Sequence, residues 1–373
     1  MRQYTIGIDA RLYAQTGVGT YLRNLIHFLP AYLGEQLRIR LYVHQNDLEK
    51  VSINDSRISI CKTSVKWHSF AEQTVFLTQL LRDELDLMHF PYFSYPIFYP
   101  RPFLATIHDL TPLLFKTGRA STLHPLIYET KYQIFSFMLR QQIKNAKKII
   151  TPTETVRSQL ISQYGTSYSE KIIPITEGVD FELLQAFERI QASGNVKPLN
   201  LPDPYFLYVG NFYPHKNVEK LVEAFGSLSQ KSAQKLVLVG PENYFSNKLK
   251  SLIAEKKIEG VIWKHHVSHD ELAQLYFTAD ALVNPSLSEG FGLPLIEAQH
   301  CGCPVIASDI PVFRELMGSS YLAFDPNSVE SITKALSKPI RRDEVKNASL
   351  YSFEKMTQKT ALEYTKLLYT SSD

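Results

Sequence analysis

Two glutamates eight residues apart, Glu289 and Glu297, flank the run Gly290-Phe291-Gly292-Leu293-Pro294. Same-face partners on a helix stand three or four residues apart, so this spacing brackets a helix start instead. Proline suits a first helical turn, where its missing N–H had no partner to lose, and Gly290 and Gly292 let backbone come close to a ligand. The amides around Leu293–Ile296 then lack internal partners and face outward with the positive end of the helix dipole, a seat for phosphate. Carboxylates beside such a seat would accept hydrogen bonds from sugar and ribose hydroxyls. Taken singly, Glu297 could merely complement the dipole and Glu289 merely meet solvent. As a pair around Gly290-Phe291-Gly292 they read as a binding site.

Other residues could complete the chemistry. Tyr208-Val209-Gly210-Asn211-Phe212-Tyr213-Pro214-His215-Lys216-Asn217 runs from a strand through a Gly-bearing turn to a lysine just before the next helix. A flexible cation there can meet a diphosphate as a point charge. Gly17-Val18-Gly19 opens a helix after the first strand, but it lacks the third glycine of a dinucleotide fingerprint, which argues against NAD. His108 and Asp109 follow a strand end, where a neutral imidazole can bond a sugar hydroxyl; a plain capping turn is the alternative. His89 also ends a strand and, with Tyr92 and Asp109, is a second-rank choice for the acceptor side. Cys301-Gly302-Cys303 has no His/Cys cluster about it, so its thiols read as small buried side chains of a reducing compartment.

These residues need strand ends and helix starts to hold them. Short apolar runs alternate with longer amphipathic ones, the signature of parallel α/β sheets. Strands are expected at Tyr4–Asp9, Leu37–His44, Leu87–His89, Phe103–His108, Lys148–Thr151 and Lys171–Ile175. After a Pro-, Asn- and Asp-rich linker at Val196–Pro204 the pattern restarts, with strands at Tyr205–Val209, Lys235–Val239, Val261–Lys264, Ala281–Asn284 and Val305–Ser308. The expected division is 1–197, 198–352 and a closing helix, 353–373, that packs back on the body. Ligands of such sheets bind outside the carboxyl ends of the strands, where Lys216, Glu289 and His108 all fall.

At 373 residues, with 40 basic and 37 acidic side chains, the chain is long enough for two cores and too evenly charged for a nucleic-acid binder. The opening Met1–Asp9 reads as a strand, not a signal peptide, and no run approaches the ~20 apolar residues of a membrane span. A soluble, cytoplasmic protein is expected. The aromatic- and proline-rich stretch Phe90–Phe103 reads as a loop whose rings mostly pack. Arg140, Lys144, Lys147 and Lys148 beside Phe135, Phe137 and Met138 would suit peripheral contact with the anionic inner face of the cytoplasmic membrane.

The segment Glu289-Gly290-Phe291-Gly292-Leu293-Pro294 with Glu297-Ala298 resembles the E-x7-E motif of retaining glycosyltransferases of family 4, which have the GT-B fold: two Rossmann-like doubly wound domains facing a central cleft. The resemblance runs through nearly the whole chain, to Tyr351-Ser352-Phe353-Glu354-Lys355. It implies that Glu289 contacts the transferred sugar and Glu297 the ribose. It implies further that Lys216 meets the diphosphate, that Gly17-Val18-Gly19 closes over the phosphates, and that His108 stands beside the transferred sugar. Gly210, Asn211, Gly290, Phe291, Gly292 and Leu293 would line the donor. Asn211 stands where an arginine is frequent, so only the lysine role carries over. The forms Gly17-Val18-Gly19-Thr20-Tyr21 and Val209-Gly210-Asn211-Phe212-Tyr213-Pro214-His215-Lys216-Asn217 resemble bacterial mannosyltransferases of polysaccharide or lipopolysaccharide assembly. They imply a nucleotide-diphosphate sugar as donor, GDP-mannose ahead of UDP-glucose or UDP-N-acetylglucosamine. The implied acceptor is a glycan or lipid-linked glycan, with no cofactor and no metal required. A non-catalytic nucleotide-sugar-binding protein of the same fold is the rival reading.

Overall fold

A computed structural model describes residues 2–114, 125–193, 199, 201, 204–229, 233–338, 342 and 351–369. They form two compact units. The first takes most of the chain up to Glu177 and takes it up again from Ser352; the second runs Gly178–Tyr351.

The first unit is built on seven parallel strands: β1 (Tyr4–Asp9), β2 (Leu37–His44), β3 (Ile58–Thr63), β4 (Leu87–Phe90), β5 (Phe103–Thr106), β6 (Lys148–Thr151) and β7 (Ile172–Pro174). They lie in the order β3-β2-β1-β4-β5-β6-β7. The second unit has β8 (Tyr205–Val209), β9 (Lys235–Val239), β10 (Val261–Lys264), β11 (Ala281–Asn284), β12 (Val305–Ser308) and β13 (Leu322–Phe324), ordered β10-β9-β8-β11-β12-β13. In each sheet the order reverses once, at β1/β4 and at β8/β11. Those reversals leave a gap at the carboxyl ends that crossover helices do not cover. The central strands are short and apolar because both faces are buried; Leu207, Val237 and Leu282 face one side of the second sheet, and Phe206, Leu236 and Val283 the other.

The units divide about twenty residues earlier than the expected 197/198 boundary. Helix Phe181–Ser193 presents Leu183, Ala186, Phe187 and Ile190, at helical spacing, to the core that also holds Leu275, Leu295 and Phe313. Its apolar face therefore belongs to the second unit. The expected linker at Val196–Pro204 lies largely outside the described residues. Helix Phe353–Tyr369 groups with the first unit.

Two strands escape the sequence pattern: β3, whose residues are exposed or half-buried except Thr63, and β13, three residues long. In the loop after β4, Phe93, Tyr95 and Tyr99 are buried, whereas Phe98 is 79% exposed. The basic cluster is split: Arg140 and Lys144 lie on helix Pro125–Asn145, with Ile134 and Phe137 exposed on it, while Lys147 and Lys148 lie past its end. Among the described residues no helix is long and apolar enough to cross a membrane.

His89 is not a ligand-facing residue. It is wholly buried, with Nδ1 bonded to the Tyr364 hydroxyl at 2.7 Å and Nε2 to the Thr106 hydroxyl at 2.8 Å. Burial first, then neighbouring His108, pushes its pKa down to about 3, so the ring is neutral and pins the closing helix to β4 and β5. Tyr364→Phe leaves that buried nitrogen unpaired. It is expected to cost ~1–3 kcal/mol, read as a lowered urea midpoint; an unchanged midpoint would show that the bond does not hold the helix.

Candidate donor site

The two strands that flank the reversal in the second sheet each deliver one charged side chain. The loop after β8 ends in the short turn Pro214–Lys216, and the loop after β11 carries Glu289. Lys216 Nζ lies 2.6 Å from Glu289 Oε1, and the Ser286 hydroxyl donates to the same oxygen at 2.7 Å. Both charges are mostly buried, at 18% and 11% side-chain exposure. The resemblance implies different parts of the donor for the two; the fold makes them partners.

The two loops are stitched together. Leu287 N–H donates to His215 O at 2.8 Å. Asn217, in the left-handed region at φ 58°, donates to Pro285 O and to Pro326 O. Asn tolerates that backbone geometry where a β-branched residue would not, so Asn217 both ends the lysine turn and anchors the glutamate loop. Asn284 accepts from Ser286 N–H and starts that loop as an Asx turn. Burial, aided by the charge of Lys216, pushes His215 down to about 4, which leaves Lys216 as the cation of the turn. Asn211 spends its side chain on Tyr213 N–H and its carbonyl on the Tyr208 hydroxyl, so it shapes the turn after Gly210.

Glu289 is followed by the helix start that the sequence implies. Helix Leu293–His300 begins after Gly292, whose φ is 101° and whose added Cβ would meet Phe313 Cε1 at 2.8 Å. Both facts demand glycine there. The helix has no side-chain N-cap, so its first amides are not capped by a neighbouring side chain. Phe291 differs from expectation: it is 4% exposed and packs edge-on to Tyr351 in the core, so it anchors the loop and does not face a ligand.

Glu297 is 8% exposed and accepts a 2.8 Å hydrogen bond from the Tyr276 hydroxyl. Burial pushes its pKa up to about 7, against the help of Tyr276 and with further push from Asp180. It is therefore a carboxylate poised between charge states, not a solvated dipole partner. Tyr276 itself is held far above its ordinary value by burial and by Glu297.

On the first unit, helix Val18–Phe28 starts at Gly17, at φ 69°, and Gly19 has no room for a side chain beside Tyr13 O. His108 differs from expectation in having both ring nitrogens engaged: Nδ1 lies 2.9 Å from Glu177 Oε1 and Nε2 3.0 Å from Pro91 O. The ring stacks edge-on to Tyr21. Glu177 went unread in the sequence; its signal was an acidic residue just past the end of β7. Asp109 caps Thr111 N–H at 2.7 Å, and Tyr92 packs among Trp67, His68 and Phe93.

Among the described residues one group of three, Asp180, Glu182 and His269, brings metal-ligating atoms within 4.8 Å of one another. Asp180 accepts from Glu182 N–H at the start of helix Phe181–Ser193, and His269 opens helix His269–Thr278. Two positive helix ends favour these acids and oppose a cation, so the cluster is explained as capping. A pocket of about 450 Å³ lies beside the lysine turn, lined by Phe212, Tyr213, His215, Phe245, Leu249 and Leu287, but neither Lys216 nor Glu289 borders it. Cys301 and Cys303 are free and buried, and burial raises both thiols.

The family model described as "Glycosyltransferase Family 4" matches residues 15–183, and that described as "Glycosyl transferases group 1" matches residues 190–351. The chain belongs to the glycosyltransferases that join these two domains, and its architecture is the GT-B fold. It is 31% identical to the "O-antigen chain mannosyltransferase RfbU" of Salmonella typhimurium, over 62% of this chain and 63% of that protein. It is 27% identical to the "O-antigen chain mannosyltransferase B" of Escherichia coli, over 76% of this chain and 75% of that one. The match thus spans less than two thirds of the first relative's length. Among solved structures, a sucrose-phosphate synthase from Thermosynechococcus elongatus superposes with a TM-score of 0.78 at 19% identity, over 99% of this chain and 100% of that one.

The raised Glu297 has a consequence for stability. Between its ordinary value of 4.5 and its folded value of about 7, the folded chain keeps a proton that the unfolded chain releases. Stability therefore falls as pH rises through that window. Glu297→Gln has no proton to lose, so the ligand-free variant is expected to melt higher than wild type at pH 8 and at the same temperature at pH 4. Equal melting temperatures at pH 8 would contradict the assignment.

Proposed function

We propose that the protein transfers a hexose from a nucleotide-diphosphate sugar to a glycan or lipid-linked glycan, with retention of configuration. The observation that carries this is the Lys216–Glu289 pair at the β8/β11 reversal, beside the uncapped helix start at Gly292. In this reading the diphosphate sits against the helix amides and draws Lys216, while Glu289, freed on that side, takes a hydroxyl of the sugar. Glu297 takes the ribose. The relatives named as mannosyltransferases support mannose as the sugar, and GDP-mannose is the favoured donor ahead of UDP-glucose or UDP-N-acetylglucosamine.

Two points of chemistry favour retention without a protein nucleophile. Glu289 is held by the Ser286 hydroxyl and, in this reading, by a sugar hydroxyl, and Glu297 is half-protonated near neutral pH. The acceptor hydroxyl would then approach the face from which the diphosphate leaves. The bond from the anomeric carbon to the acceptor oxygen forms as the bond to phosphate breaks, and the hydroxyl proton passes to the departing phosphate oxygen. Lys216 and the amides after Gly292 stabilise the charge that grows there. The same assignment makes the reaction independent of metal.

The test is product formation from radiolabelled GDP-mannose, UDP-glucose and UDP-N-acetylglucosamine, each with and without EDTA. The expected outcome is transfer from GDP-mannose, undiminished by EDTA. Glu289→Ala should abolish it while GDP still binds, and Lys216→Ala should lower kcat/KM by ~10²–10³-fold, the loss typical of one charge-stabilising donor. A Glu289→Ala enzyme with full activity would sink the role given to Glu289. Nucleotide-sugar binding by wild type with no product from any donor would favour a non-catalytic binding protein.

A further inference from the structure

We propose that the buried cluster around Arg11 in the first unit seats the terminal sugar of the acceptor, and that this sugar carries no phosphate or carboxylate. The inference rests on the transfer reading above and names the substrate class of its second half.

Arg11 follows β1, and Tyr92 and Ser94 follow β4, so the cluster stands at the one reversal of the first sheet, the place where an α/β sheet binds its ligands. Its hydrogen bonds run in a chain. Arg11 donates through Nε and Nη2 to both oxygens of Asp9, at 2.8 and 2.6 Å, and through Nη2 to Glu72 Oε1 at 2.6 Å. The Ser94 hydroxyl donates to that same Glu72 oxygen, and His68 N–H donates to Ser94. One donor stands outside the chain. Arg11 Nη1 is buried without a hydrogen-bond partner, on a side chain only 1% exposed. A guanidinium whose other groups are all matched, with one N–H side left over, is built to take an oxygen that the chain itself does not supply.

The charge of the cluster says which oxygen. Arg11 brings one positive charge and already faces two carboxylates, Asp9 and Glu72. Burial works against the guanidinium charge, but the two ion pairs outweigh it and hold Arg11 above its ordinary value. His68 adds no second cation, because burial and the charge of Arg11 push it down to about 4. A phosphate or carboxylate would enter as a third anion beside a single cation. A hydroxyl oxygen accepts from Nη1 at no such cost.

The surroundings suit a sugar ring. Trp67 is 40% exposed and stands at ring-contact distance from His68 and Tyr92, so an aromatic ring is available there for the C–H side of a pyranose. Two backbone irregularities hold these groups: His68 sits in the left-handed region at φ 54°, and Glu72–Phe76 forms one turn of π-helix. Such distortions persist where the surrounding structure enforces them and are frequent at functional sites. The position is also continuous with His108, whose Nε2 donates to Pro91 O, one residue before Tyr92.

The chain has two tryptophans, Trp67 in the first unit and Trp263, beside Phe212 and His265, in the second. Their indole N–H signals in NMR report the two halves separately, and Trp67→Phe assigns them. α-1,3-Mannobiose should shift the Trp67 signal saturably, and the same disaccharide carrying a 6-phosphate on its terminal mannose should bind at least about tenfold more weakly. Arg11→Lys keeps the cation between Asp9 and Glu72 but has no nitrogen to spare, and should weaken mannobiose binding about tenfold. Equal or tighter binding of the phosphorylated sugar, or a Trp67 signal that neither sugar moves, would overturn the proposal; this comparison needs no variant. Unaltered mannobiose binding by folded Arg11→Lys would overturn it too. A Trp263 signal unmoved by GDP and UDP would instead count against the donor reading and leave the Trp67 result standing.

Discussion

Lys216 and Glu289 meet because two neighbouring parallel strands, β8 and β11, send their following chains in opposite directions. That reversal is the one place in the second sheet where loops from adjacent strands can approach without a crossover helix between them. Most of the candidate donor site follows from it. The Asn217 amide and the Leu287–His215 bond keep the two loops in register, and Gly292 lets the second loop turn sharply into a helix that has no side-chain N-cap. A buried ion pair of this kind contributes little net stability, since desolvation offsets much of the attraction. In the proposed reaction its worth lies in holding a cation and a carboxylate where an anionic donor would exchange partners with them.

The first unit repeats the logic at β1/β4 with different chemistry. There the buried cation is Arg11, and two carboxylates already claim it. His108 is fixed between Glu177 and the Pro91 carbonyl, so both ring nitrogens are already engaged. One sheet thus ends in a site where a lysine faces one carboxylate beside a helix start, which suits a diphosphate; the other ends in a site where an arginine already faces two carboxylates. The contrast matches a reaction in which one substrate is strongly anionic and the other presents hydroxyls.

What could be read in the sequence was the local part. Lys216 and Glu289 were legible because each lies within a few residues of an apolar strand and beside Gly or Pro, which mark the turn. The helix start at Gly292 was legible for the same reason. Pairings across long separations were not: Glu177 lies 69 residues from His108, and Glu72 lies 61 from Arg11, reached only through a π-turn that no periodicity announces. His89 was misread because a strand-end histidine looks the same in sequence whether it faces a ligand or, as here, Tyr364 on the closing helix. The boundary was misplaced because the apolar spacing of Phe181–Ser193 declares a helix but not the core it joins. The edge strands β3 and β13 were missed because one is half-exposed and the other too short to show alternation.

The central claim is that the β8/β11 reversal grips a nucleoside diphosphate through Lys216. Thermal unfolding with GDP, UDP and NAD side by side tests it most directly. A ligand at a hundred times its Kd adds about 2.7 kcal/mol to the stability of the state it binds. The account predicts that GDP raises the melting temperature, that NAD does not, and that Lys216→Met removes the GDP shift. A shift with NAD, or a GDP shift undiminished in Lys216→Met, would contradict it.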